Sequence, residues 1–289
     1  MPQAIYLDSQ CMAYLLGQPV LVSKGWTGPG TKALREAVDR GIGDGTVVLY
    51  GSHFHLEEAS RIPDDDERRH FMGFFWCKVK WNVLLPTHEL ALKEAQLRRA
   101  LEAIEPFEEF WRRQELRRVS KSKADVDALA ASVKAFVDRS VTDSAARRAS
   151  ATQKLEATYA NLTPAEVSKR WWTDADTTIE DWVKDDLASS KEHLGLGDDM
   201  AEWPKPRDLQ TAWAIHAYMM ARIVMNIGFN RKIGDGDAHD AHHYASACYA
   251  DVFVTEDGAL RDTVKIIPSS PVTVLSFDEF AAQFGITPR

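Results

Sequence analysis

The chain has 289 residues, 45% of them hydrophobic, and a formal charge of −8. Nine Trp and twelve Phe are enough for a real core, which excludes a disordered chain. The negative balance excludes broad nonspecific affinity for nucleic acid, which needs excess Lys and Arg, but leaves room for a local basic groove. The first third alternates strand and helix. Ala4–Leu7 is a short apolar run and reads as a buried strand, followed by a helix over Ser9–Leu16 capped by Asp8 or Ser9. Gly28, Pro29 and Gly30 mark a loop before an amphipathic helix over Thr31–Arg40. Gly41–Gly45 turns the chain into a second strand, Thr46–Tyr50, rich in β-branched residues. Ser52 caps a helix through Ser60, and Pro63 with the run Asp64–Glu67 starts the next, to about Lys80. Val83–Leu85 is a short extended piece, and helix resumes near His88.

From Glu102 to Ser190 no strand pattern emerges. Isolated apolar residues at helical spacing, such as Val126, Leu129, Val133 and Val137, predict several helices. Leu209–Ile227 is a strongly apolar helix whose Trp213 and Met stripe reads as helix packing. The α/β pattern then returns, with a helix over Asp240–Tyr249, strands over Val252–Thr255 and Val272–Leu275, and a last helix over Phe277–Phe284. The division expected is an α/β unit in two parts, 1–101 and 206–289, around an all-helical insertion over 102–205.

Cys11, Cys77 and Cys248 form no zinc pattern and read as buried small residues in a reducing compartment. The chain enters a strand at once, without a charged and apolar leader. No segment is apolar for the ~20 residues that a bilayer span needs. A soluble, cytoplasmic protein with no membrane partner is the expectation.

Acidic residues fall at matching places in these elements. Asp8 follows the first strand, Glu57 and Glu58 lie on the helix after the second, Asp237 and Asp240 open a later helix, and Asp257 follows the strand after that. In open α/β folds the carboxyl edge of the sheet is where sites are built. The pieces IYLDSQCMAYLL, SHFHLEEAS, DAHHYASACYADVFVTEDGAL and VTVLSFDEFAAQF together resemble the PIN-domain nucleases. The third is the specific one: an Asp, a helix of small residues, then an apolar strand ending in Thr-x-Asp. The resemblance covers roughly the first hundred and the last eighty residues. The helical middle suits a larger PIN-like protein rather than the small toxin-type members.

That resemblance implies a three-layer α/β/α fold with a central parallel sheet. It also implies a nuclease, an endoribonuclease first, dependent on Mg²⁺ or Mn²⁺. By position it assigns catalysis and metal binding to Asp8, Glu58, Asp240 and Asp257. Asp237 replaces or assists Asp240, and Glu58 matches the second acid better than Glu57. Hard cations prefer carboxylate oxygens, and two of them ~3.5–4 Å apart can hold the attacking and leaving oxygens of a phosphodiester. Thr255 is positioned to hydrogen-bond a site carboxylate or a metal-bound water, and so to act at the substrate. Taken singly, Asp8 reads as a helix cap, Asp257 as a turn residue and one of Glu57 and Glu58 as a solvated helix residue. His239, His242 and His243 read as helix-start and packing residues, close enough to contact a phosphate.

An EF-hand from Asp235 fails, since it needs Gly at Asp240 and Glu at Ser246. An HD-type phosphohydrolase built on His239, Asp240 and His216 is opposed by the strand after Tyr249. For substrate binding, Arg112, Arg113, Arg117, Arg118, Lys121 and Lys123 form a basic block beside Trp111. It is either a grip on RNA or a solvated helix face. Trp171 and Trp172 stack on bases or pack. The other classes in play are a catalytically inactive PIN-like binding or regulatory module and a structure-specific DNA nuclease. A protein partner such as an antitoxin stays open.

Overall fold

The computed structural model describes residues 2–17, 28–79, 82–84, 87, 90, 91, 94, 95, 131, 135, 149–194, 196, 198, 199, 203–231, 233, 234 and 236–286. The basic block from Arg112 to Lys123 and Trp111 lie outside the described residues, as does Asp235.

The fold is α/β, built on a five-stranded sheet in the order β3-β2-β1-β4-β5. The strands are β1 (Gln3–Leu7), β2 (Val47–Ser52), β3 (Val83–Leu84), β4 (Val252–Val254) and β5 (Thr273–Leu275). Every pairing is parallel, with Ile5 opposite Leu49 on one side and opposite Val252 on the other. Strands buried on both faces need apolar residues at successive positions, which is why each appears in the sequence as a short apolar run. Successive side chains on β1 feed two different cores. Tyr6 joins Phe253 and Val274 under one set of helices, whereas Ile5 and Leu7 join Leu49, Val252 and Val254 under another. The sheet is therefore the middle of three layers.

The first face is covered by α1 (Ser9–Leu15), α2 (Gly28–Gly43), α3 (His53–Ser60), α4 (Asp65–Val79) and a C-terminal helix, Phe277–Gln283. Gly51, at the end of β2, allows α4 to approach: a Cβ there would sit 2.5 Å from the Phe75 ring. On the second face lie α5 (Pro164–Ser189), α6 (Gln210–Phe229), α7 (Asp237–Ala247) and α8 (Gly258–Lys265). Thr163 and Glu166 cap the start of α5 reciprocally. Its Val167, Trp171, Ala175 and Ile179 share one core with Tyr218 and Val224 of α6 and with Tyr6 of the sheet. The described part of 102–205 thus packs into the same body as the sheet.

Three elements depart from the sequence reading: α2 runs from Gly28 to Gly43, so Gly28–Gly30 opens that helix instead of forming a loop before it. α8 was not anticipated, yet β4 and β5 are parallel neighbours and need such a crossover. α7 begins at Asp237, three residues before the expected start, so Asp237 and Asp240 share its first turn. Trp171 is buried and meets Trp172 edge-on, with ring centroids 5.1 Å apart, so this pair packs rather than presenting a stacking face. Among the described residues no helix is long and apolar enough to cross a membrane. Cys11, Cys77 and Cys248 are free thiols, and Cys77 is exposed rather than buried.

Candidate functional site

Because all strands are parallel, the ends of β1, β2 and β4 lie at one edge of the sheet, and Asp8, Glu58, Asp240 and Asp257 stand near enough there to act on one another electrostatically, while among the described residues only Glu58, with His239 and His243, belongs to a group whose ligand atoms all lie within 4.8 Å of one another. Asp8 follows β1, and its N–H continues the ladder by donating to the Val254 carbonyl at 3.0 Å. Its Oδ1 accepts from the Cys11 N–H at 2.6 Å, so it also caps α1. Asp257 caps α8 in the same way, accepting from the Leu260 N–H at 2.9 Å. The capping reading of each residue holds alongside a site reading. Between them lies Thr255, fully buried, whose hydroxyl accepts from the Asp257 N–H at 3.1 Å. Thr255 therefore helps to hold the start of α8 and acts on Asp8 as a polar neighbour.

Asp240, in the first turn of α7, accepts a 3.4 Å hydrogen bond from Tyr218. Burial, and then the Asp257 carboxylate, push it up to about 7. Asp8 is raised by burial, against hydrogen bonds from Thr255 and Cys11, and the charge of Glu58 adds to the rise. These mutual effects run from Asp8 through Glu58 to His243 and on to Asp240 and Asp257, so the four acids share one electrostatic neighbourhood.

Asp237 departs from its expected role. Its Oδ1 takes the Arg222 Nε at 2.7 Å and its Oδ2 takes the Gly234 N–H at 2.7 Å, with both ion-pair partners buried. Both oxygens are committed to closing the loop before α7, which removes Asp237 from the ligand set. Asp240 alone represents the pair.

Neither Glu of α3 is a freely solvated helix residue. Glu57 is 2% exposed; one oxygen meets the Arg61 guanidinium and the other, Oε2, has no hydrogen-bond partner. Burial raises its carboxyl. Glu58 accepts from the Ser9 hydroxyl through Oε2 and turns Oε1 toward two imidazoles. Burial acts to raise it, but His243, together with Ser9, outweighs that and holds it well below the usual range.

The histidines form a group that residue-by-residue reading misses. Nε2 of His243 lies 3.4 Å from Glu58 Oε1, and Nε2 of His239 lies 3.9 Å from Glu58 Oε1 and 3.4 Å from Glu57 Oε2. Glu58, His239 and His243 each offer a ligand atom within 4.8 Å of the others. His239-x-x-x-His243 sets both rings on one helix face, a spacing visible in the sequence once an acidic helix is placed opposite. His239 is lowered to about 4 by burial and by His243, which leaves a neutral ring. Both Nε2 atoms and Glu57 Oε2 are buried without a hydrogen-bond partner. Leaving one such atom unpaired costs about 1–3 kcal/mol, so three together call for an explanation. His242 differs: its Nδ1 bonds the Thr87 hydroxyl at 2.8 Å and its ring stacks on Phe54, so it packs.

Comparison with protein-family models, curated proteins and solved structures gives no match for this chain.

Proposed function

We propose that the protein is a divalent-metal-dependent nuclease, in the first instance an endoribonuclease using Mg²⁺ or Mn²⁺, with a site at the acidic edge of the sheet. The observation that carries the reading is the meeting of Asp8, Glu58, Asp240 and Asp257, drawn from four separated segments. Their order along the chain is the one that resembles the PIN-domain nucleases. The donor set fits a hard cation. Asp8 and Asp240 are raised first by burial and further by a neighbouring carboxylate, Glu58 for the one and Asp257 for the other, and a bound cation offsets both effects. Asp8, Asp240 and Asp257 would hold it, with Glu58 at the margin. When bound, such a cation supplies positive charge for an in-line displacement at phosphorus and acidifies a water.

The chain's own residues supply the rest. The Cys11 N–H fixes the Asp8 carboxylate, and Thr255 fixes the start of α8 at Asp257. Tyr218 donates to Asp240 and so fixes its oxygen. The N-terminal ends of α1 and α8, capped by Asp8 and Asp257, add positive dipole ends that favour negative charge. The test is cleavage of end-labelled single-stranded RNA and DNA with Mg²⁺, with Mn²⁺ and with chelator. Internal cuts in RNA that need either metal are expected. Intact RNA and DNA under every metal condition, or cutting that survives chelator, sinks the reading. Cutting of DNA alone moves it to the DNA-nuclease class.

A further inference from the structure

We infer that His239, His243 and Glu58, with Glu57 as a fourth donor, form a second metal centre that takes a late d-block cation such as Zn²⁺ or Co²⁺ in preference to Mg²⁺. Three observations converge on it. The first is spacing. Ligands ~2.0–2.1 Å from a tetrahedral ion stand roughly 3.4 Å apart. The His243–Glu58, His239–Glu57 and His239–Glu58 approaches are 3.4, 3.4 and 3.9 Å.

The second is the set of orphaned atoms. The Nε2 atoms of His239 and His243 and Oε2 of Glu57 are buried and lack hydrogen bonds, while His243 and Glu57 are 4% and 2% exposed. A cation among them partners all three at once.

The third is a hydrogen-bond chain that sets the His243 tautomer. His55 Nε2 lies 2.6 Å from the Leu7 carbonyl, which can only accept, so His55 carries its proton there. His55 Nδ1 must then accept, and it faces the Ser52 N–H at 3.0 Å and the Ser52 hydroxyl at 3.3 Å. If Ser52 donates to His55, it accepts from Tyr6 at 2.7 Å, and Tyr6 in turn accepts from His243 Nδ1 at 2.8 Å. This is the only direction that makes every bond in the chain. It places a proton on His243 Nδ1 and so makes Nε2, which faces Glu58, the nitrogen that binds a cation once it gives up any proton it carries. Metal-bound imidazoles use their second nitrogen in this way. Phe54 walls the pair, its ring 5.0 Å from His239 and 5.4 Å from His243. Imidazole nitrogen suits Zn²⁺ and neighbouring late d-block ions such as Co²⁺ and is a poor match for Mg²⁺.

The inference does not rest on the nuclease reading. Co²⁺ is the probe. Full-length protein, stripped with chelator and held in excess Mg²⁺, is titrated with Co²⁺ and followed by visible d–d absorption and by metal analysis. One tightly held Co²⁺ with nitrogen–oxygen coordination is expected. His239→Gln and His243→Gln should each weaken it about 100-fold, and Tyr6→Phe about tenfold by freeing the tautomer. Asp257→Asn, which lies outside this cluster, should keep the spectrum. X-ray absorption on the unmutated Co²⁺ protein, read for imidazole scattering, decides the same question if a variant fails to fold. Co²⁺ displaced by Mg²⁺, a spectrum of oxygen ligands only, or an affinity in both His variants equal to that of the unmutated protein overturns the proposal. Absence of RNA and DNA cleavage would remove the nuclease reading and leave this result standing.

Discussion

Asp240→Asn should make the metal-free protein more stable at neutral pH, although it alters a residue assigned to the site. Asp240 stands at about 7 in the folded chain against an ordinary 3.8, through burial first and Asp257 second. The folded state therefore holds this proton more tightly than the unfolded state. The stability linked to it is complete below pH 3.8, is lost as pH rises toward 7, and stays lost above. A shift of about 3 units corresponds to at most ~4 kcal/mol at 1.36 kcal/mol per unit. Partial exposure of Asp240 reduces the expected effect to about 2 kcal/mol. Asn keeps the shape and can still accept from Tyr218, so the substitution isolates the charge. The assay is urea unfolding in chelator across the range from about pH 4 to about pH 8. The variant should gain on the parent steadily up to about pH 7 and then run level with it, about 2 kcal/mol above. Saturating Mn²⁺ should stabilise the parent more than the variant. A gap that does not change with pH, or a variant weaker than its parent at pH 8 in chelator, would refute the crowded-carboxylate account.

Asp8→Asn should lower metal-dependent RNA cleavage by roughly 10²–10³-fold, the equivalent of several kcal/mol, with the circular dichroism spectrum unchanged. Full activity in that variant would remove Asp8 from the site. Arg222→Met should destabilise the fold by about 3 kcal/mol, since it strands Asp237 as a buried charge. Adding Asp237→Leu should recover most of that loss in a urea-unfolding cycle, and a cycle that is simply additive would show that the pair does not interact. Neutralising Arg112, Arg113, Arg117 and Arg118 together should weaken RNA binding and flatten its dependence on log salt, because fewer counterions are released. An unchanged slope in a salt-series binding assay would make the block a solvated face.

The strands were legible because a parallel sheet buried on both sides demands uninterrupted apolar runs, and Ile5–Leu7 and Val252–Val254 are such runs. Asp8 and Asp257 were legible for a related reason: a residue that ends a buried strand and caps the next helix sits at the functional edge by geometry alone. α8 escaped because it is only eight residues long, squeezed between two strong strand signals. The start of α7 escaped because the Gly-Asp-Gly-Asp run offers several equivalent openings. Arg222, on the preceding helix, decides among them by claiming Asp237, and that contact exists only after α6 and α7 have packed.

The histidines were hidden by a different logic. Judged singly, a His in a small-residue helix is a packing residue, and His242 is one. What separates His239 and His243 from it is the acidic helix α3 on the other side of the gap, a fact of tertiary structure. Glu58 links the two halves of the edge. Its neighbours include imidazoles, and it is held down, whereas Asp8 and Asp240 are pushed up, by burial first and by a neighbouring carboxylate after it. On the two proposals made above, cations at this edge would meet two kinds of donor set side by side, one of oxygens that release protons as they bind and one of mixed nitrogen and oxygen. Raising the pH should therefore tighten Mg²⁺ on the oxygen side up to about pH 7, as Asp240 gives up its proton. Calorimetric Mg²⁺ titrations in buffers of different ionisation enthalpy read this directly. Proton release of about one per Mg²⁺ near pH 6 that disappears in Asp240→Asn is expected, and release that persists in that variant would place the proton elsewhere.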